Sequence, residues 1–211
     1  MTKMTVTRGL AELKTLDARI NTAISQGVFV AAVPGAQKLP IGVAKSAEQL
    51  TSDINASYQT VRDLIKRREA IKRAIIVSNG KTEVVIGGQK MTVAEAIERK
   101  TSINYLNGFH AHMAMQLQNT TNVVNTQNAR VDADIEKRVM AAYGNEKGKV
   151  SEDQHKIIAD AVKKESAAEL LDPKKINDQI ATVRKEFEDF SMEVDFVLSE
   201  SNARTEIEIA V

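Results

Sequence analysis

Glu152 and His155 stand three residues apart, the Glu-x-x-His spacing by which one helix face offers a carboxylate and an imidazole to a metal ion. A carboxylate-bridged di-metal bundle needs a second such pair and additional glutamates. Neither His110 nor His112 has a Glu three residues before it, so the set is incomplete. Two residues apart on a helix is about 200° around the axis, so His110 and His112 cannot chelate one ion unaided. No metal and no cofactor is expected. Gly80-Lys81-Thr82 resembles the end of a phosphate-binding loop, but that pattern needs a Gly five residues before Gly80, where Ile75 stands. The motif also follows a helical period and opens a strand-like one, the reverse of the required context.

A cluster of cations offers different chemistry. Arg62, Arg67, Arg68 and Lys72 fall on one helical segment. Across a subunit boundary they could present cationic forks to the phosphates of a small nucleotide signal. The alternative is that these four are ordinary surface charges. Arg68 also interrupts an apolar seam, where an Arg can set register or bind an anion. The acidic groups Asp132, Asp134 and Glu136, and Glu186, Glu188 and Asp189, sit on segments rich in Lys and Arg and read as solvated faces. No Ser is accompanied by a nucleophile elbow or a Gly-rich oxyanion turn. The sequence therefore names no catalytic residue.

The elements that would position these side chains are mainly helical. Leu10, Leu13, Leu16, Ile20, Ala23 and Ile24 recur at helical steps from about Thr7, and Gly27 ends that run. Val28 to Val43 is apolar but broken by Pro34, Gly35, Pro40 and Gly42, a loop that either packs over the core or serves as an exposed attachment. From Ser46 to about Val77, Leu50, Ile54, Ser57, Val61, Leu64, Arg68, Ile71 and Ile75 alternate four- and three-residue steps, the seam of a coiled coil or antiparallel hairpin. Thr82–Ile86 and Gln89–Thr92 flank Gly87-Gly88 as a tight hairpin.

Val93 to Tyr143 contains no proline and reads as one helix of roughly 50 residues, about 75 Å long. Its seam runs Leu106, His110, Met113, Leu117, Thr120, Val124, Gln127, Val131, Asp134 and Arg138. Half of these are polar, a pattern that specifies register and oligomer state in coiled coils. Alternatively, the polar face is solvated and the apolar face displaced by one position. Tyr143-Gly144-Asn145 and Gly148 mark a turn, Ser151 opens a helix to about Leu171, and Asp172-Pro173 starts the last one. Ile176, Ile180, Val183, Phe187, Phe190, Val194 and Val197 form its all-apolar stripe, expected to be the main core surface. In the tail, Ile207 and Ile209 alternate with Glu206 and Glu208 and are expected to add a third strand to the hairpin. The expected fold is thus mainly α: an elongated antiparallel helical bundle or coiled coil, one domain over 1–211, with small β segments at 82–92 and 205–211.

Composition narrows the function classes. Lys+Arg 29 against Asp+Glu 28 gives a formal charge of +1, which supplies no field to draw the chain onto nucleic acid or acidic lipid. Basic and aromatic residues are not interleaved as single-stranded nucleic acid requires. With no Cys, the chain has neither a disulfide framework nor thiolate metal sites. Met1-Thr2-Lys3-Met4-Thr5 reads as too polar for a signal peptide, and no apolar run approaches the roughly 18 residues that span a bilayer. A membrane partner is not expected.

Three stretches carry a resemblance. They are Leu10-Ala11-Glu12-Leu13-Lys14, Thr82-Glu83-Val84-Val85-Ile86-Gly87-Gly88-Gln89-Lys90-Met91-Thr92-Val93-Ala94-Glu95-Ala96-Ile97-Glu98-Arg99-Lys100, and Val194-Asp195-Phe196-Val197-Leu198-Ser199-Glu200-Ser201-Asn202-Ala203. Together they resemble a family of uncharacterised helical proteins from phages and prophages, related to proteins labelled septicolysin-like. The resemblance implies a viral origin and a role as virion component, assembly factor or inhibitor of host defence, in the host cytoplasm or the virion. It carries over no catalytic residues. The expectation is a non-enzymatic, homo-oligomeric helical protein that binds phage structural proteins or, alternatively, sequesters a small host signal.

Overall fold

The computed structural model describes residues 2–33, 45–144 and 151–210. Its fold is mainly α, with short antiparallel strand pairs. By its contacts the chain divides into two compact units, Met1–Thr101 with Asp189–Val211, and Ser102–Glu188.

The first unit is built on an antiparallel helix pair, α1 (Val6–Gln26) and α2 (Ala47–Asn79). The α2 seam is the one its periodicity predicts: Leu50, Ile71 and Ile75 are buried, and Ile54, Ser57, Val61, Leu64 and Arg68 are half-buried. On α1 the buried face is Val6, Gly9, Leu13 and Leu16, while Leu10 and Ile24 lie on the flank and remain exposed. Gly9 lets the elements close up. A Cβ there would sit 3.2 Å from Ile207 Cδ1 and 3.3 Å from Ile75 Cδ1. Of the apolar loop Val28–Val43, Val28, Phe29, Val30 and Val33 are exposed, and its part from Pro34 onward lies outside the described residues.

The tail does not join the hairpin. It forms β4 (Glu206–Ile209) and pairs with an N-terminal strand, β1 (Thr2–Thr5), in the register Thr2↔Ile209 to Thr5↔Glu206. β2 (Glu83–Ile86) and β3 (Gln89–Thr92) make a separate two-stranded hairpin, so the expected three-stranded sheet is replaced by two pairs. The reason is complementarity. Met4 and Val6 alternate with Lys3 and Thr5 as Ile207 and Ile209 do with Glu206 and Glu208, and Lys3 meets Glu208 at 2.9 Å. As expected, Ile207 and Ile209 are buried and their glutamates exposed. With Met4, Val6, Leu13, Leu16, Ile71 and Ile75 they form the chief core of this unit. The hairpin turns through Gly87 (φ 57°) and Gly88 (φ 74°), the left-handed pair its sequence predicts. Gly87 N–H donates to Glu193 of α6 (Ile176–Arg204) at 2.7 Å, tying the turn to that helix.

The long helix expected over Val93–Tyr143 is present as α3 (Val93–Ser102) and α4 (Asn104–Tyr143). Ile103 between them keeps right-handed helical angles, φ −57° and ψ −23°. The predicted Thr92–Glu95 capping box opens α3, with Thr92 N–H on Glu95 at 2.7 Å and Glu95 N–H on the Thr92 hydroxyl at 3.2 Å.

In the second unit α4 packs antiparallel to α5 (Glu152–Ser166) through Val131, Ile135, Val139 and Val162. Of the predicted seam, Met113 and Val131 are buried, Leu106, His110, Leu117, Val124 and Gln127 are half-buried and Thr120 is exposed; beyond Val131, Ile135 and Val139 take the buried positions. Asp134 and Arg138, on the expected seam, pair with each other at 2.9 Å instead. A straight helix of 3.6 residues per turn drifts off a 3.5-residue seam in this way. Ser151 caps α5 as expected, but the helix stops at Ser166, short of Leu171. Asp172 accepts from Ile176 N–H at 2.9 Å, so it caps α6 from a turn that includes Lys175 at φ 52°. The α6 stripe is less buried than expected. Phe190 and Val194 are enclosed, whereas Ile176, Ile180, Val183, Phe187 and Val197 are half-buried.

Candidate functional site

Of the four cations that the sequence offers for an anion, the fold turns two against carboxylates of α1. Arg67 grips Glu12 with both forks, Nε to Oε1 at 2.7 Å and an Nη to Oε2 at 3.2 Å. Arg68 Nε donates to Asp17 Oδ1 at 2.5 Å. The guanidinium of Arg67 holds the Glu12 carboxyl below the usual carboxylate range, and Glu12 in turn raises Arg67. A phosphate would have to displace Glu12 from a bidentate pair before reaching this fork.

Arg62 and Lys72 are exposed. Five residues separate Arg62 from Arg67, about 140° around the axis, so those two cannot converge on one ligand from the same helix. Arg67 and Arg68 thus each bridge the antiparallel helices through an ion pair with α1. Sequence alone could not show these pairs because the partners, Glu12 and Asp17, lie a whole helix away.

The metal candidates are placed as follows. His155 Nε2 lies 3.5 Å from Glu136 Oε1 of α4, with both side chains about half exposed. Glu152, one turn earlier, is exposed, as is His112, and His110 is half-buried. Among the described residues no group of three His, Cys, Asp or Glu side chains is arranged to hold a metal ion. Gly80-Lys81-Thr82 closes α2: the N–H of Gly80 bonds to Ile76 and those of Lys81 and Thr82 to Ser78, so its amides face the helix end. Among the described residues no polar or charged side chain is buried. Elsewhere the Thr92 N–H and hydroxyl lower the Glu95 carboxyl and Glu188 raises Arg184, each across three or four residues.

The feature that sequence reasoning missed is the placement of the aromatics. Of five Phe and three Tyr residues, six are at least 40% exposed: Phe29, Tyr58, Tyr105, Phe109, Tyr143 and Phe196. Tyr105 and Phe109 stand one turn apart on α4, at 82% and 54% exposure, and Met192 and Phe196 one turn apart on α6, at 77% and 70%. Their spacing was legible. Both pairs lie off the apolar seams, a position that marks an outward face.

No family model, curated protein or solved structure matches the chain. Nor is any helix among the described residues long and apolar enough to cross a membrane.

Proposed function

We propose that the protein is non-enzymatic and works by self-assembly and binding, as a virion-associated or accessory component encoded by a phage. One observation carries the assembly claim: large aromatic side chains, scarce in this chain, stand mostly in solvent. Aromatics and Met are enriched at protein interfaces and dominate binding energy when a partner covers them. The pairs Tyr105/Phe109 and Met192/Phe196 each present a continuous apolar strip along one helix, suited to a helix of a second copy. Sedimentation velocity across micromolar concentrations tests this. A sedimentation coefficient that rises with concentration supports it, and a concentration-independent monomer counts against it.

The viral setting rests on the resemblance of the hairpin-into-helix and terminal stretches. Its cheapest test is the source genome: head or tail genes as neighbours favour a virion component, and early genes favour a host-directed role. The alternative, sequestration of a small nucleotide signal, is weakened by the engagement of Arg67 and Arg68 with α1.

A further inference from the structure

Beside β4 lies a groove of about 520 Å3 whose walls are the outer edge of that strand and the flank of α2. The hydrogen-bond phase of the sheet fixes what this edge offers. Val6 N–H bonds to Thr205 C=O at 2.9 Å, so with the observed register Met4↔Ile207 and Thr2↔Ile209 are the hydrogen-bonded pairs. The backbone N–H and C=O groups of Glu206 and Glu208 therefore point away from β1, into the groove. The sheet has two strands, in the order β1-β4, so among the described residues no third strand meets them. The α2 side carries Ala70, Ala74 and Val77 as an apolar floor, with Arg73, Ser78 and Lys81 beside them.

We propose that this groove accepts an extended segment of a partner protein as a third strand, and that the segment alternates apolar and basic side chains. Each requirement follows from a wall. The unpaired edge demands extended backbone, since only a strand can satisfy a row of amides and carbonyls at their spacing. On the inner face, the small side chains Ala70 and Ala74 leave room for bulky apolar groups. On the outer face, residues opposite Glu206 and Glu208 come within about 5 Å of them, so Lys or Arg is favoured and Asp or Glu repelled. The chain uses the same pairing internally, Lys3 against Glu208.

The charge pattern also argues against a second copy as occupant. Two β4 edges in antiparallel register would set Glu against Glu. The complementary strand β1 has Met4 buried in its own core, so it brings no free apolar row to the groove of another copy. The site shares no residue with the exposed aromatic pairs and stands whether or not the helices self-associate.

The test uses the full chain and synthetic octapeptides followed by amide NMR. Alternating Val and Lys is the expected ligand, alternating Val and Glu the charge control, and the Val/Lys peptide with a central Pro the backbone control. The Val/Lys peptide is expected to shift and protect the amides of Glu206 and Glu208, with at least tenfold weaker binding of either control. Glu206→Lys should reverse the preference between the two charged peptides, and Val77→Arg, at an exposed wall position, should abolish binding while the spectrum shows an intact fold. Equal binding of all three peptides, shifts confined to other residues, or no binding at all would overturn the proposal. So would protection of these amides by raising the protein concentration alone, which would identify a second copy as the occupant.

Discussion

The side chain of Asn128 clasps the backbone of Ala168 from both sides: its Nδ2 donates to the Ala168 carbonyl at 3.0 Å, and its Oδ1 accepts the Ala168 N–H at 2.8 Å. Gln127 adds a bond to the Ser166 carbonyl at 3.1 Å. A primary amide mimics a strand partner, and these two residues hold the chain where it leaves α5. The polar stretch of the α4 seam is thus partly spent inside the unit rather than on a second copy. Asn128→Ala should destabilise the second unit by about 1 kcal/mol. Asn128→Asp should lose at least as much at neutral pH, because a carboxylate faces the carbonyl, and regain part of it in acid. Urea denaturation of the variants beside the parent, at both pH values, checks the ranking.

The Arg67–Glu12 clamp sets an acid dependence. Because Glu12 binds its proton less readily in the folded chain, its contribution is fully present above the unfolded pKa of about 4.3 and fades as pH falls through the folded value. Both side chains are 23–30% exposed, so the pair is worth about 1 kcal/mol. Glu12→Gln should lower the melting temperature at pH 7 and converge with the parent in acid. Parallel curves across that range would show that the clamp adds nothing.

What the sequence made legible was local. The α2 seam from Leu50 to Ile75 could be read position by position because it needs only a helical period, and the Gly87-Gly88 turn because only such residues take its angles. The pairing of β4 could not be read that way. The residues around Met4 read only as a short polar stretch until Glu208 is placed opposite Lys3, and the rival hairpin carries the same alternation. The cation cluster is a similar case: nothing within α2 reveals that Glu12 and Asp17 pair with two of its members. Aromatic exposure was the reverse case, present in the spacing of Tyr105 and Phe109 but overlooked beside the stronger seams.

Packing around Gly9 gives an asymmetric mutational response. In Gly9→Ala the new methyl meets side-chain methyls of Ile207, Ile75 and Ile71 at 3.2–3.4 Å, and better helix propensity of about 1 kcal/mol offsets the crowding. Its stability should stay within about 1 kcal/mol of the parent. Gly9→Leu has no room between α1, α2 and β4 and should separate them, read as a loss of cooperative melting by circular dichroism.

Removal of the tail tests the corrected strand pairing. Deleting 205–211 strips Ile207 and Ile209 from the core of the first unit and leaves β1 unpaired. With about 1.5–3 kcal/mol for each buried Ile, the loss should exceed about 3 kcal/mol. Hydrogen exchange should accelerate at Met4 and Val6 while the β2–β3 hairpin keeps its protection. Acceleration in the hairpin instead would revive the pairing that the fold replaces.

The most direct test of self-assembly is light scattering coupled to size exclusion, run on the intact chain beside a Phe109→Ser/Phe196→Ser variant. The intact protein should elute with a mass that is a multiple of 23.2 kDa, and the variant, folded by circular dichroism, should fall toward the single-chain mass. A 23.2 kDa species for the intact chain at every micromolar concentration, or an oligomer indifferent to both substitutions, would contradict assembly through the exposed aromatic faces.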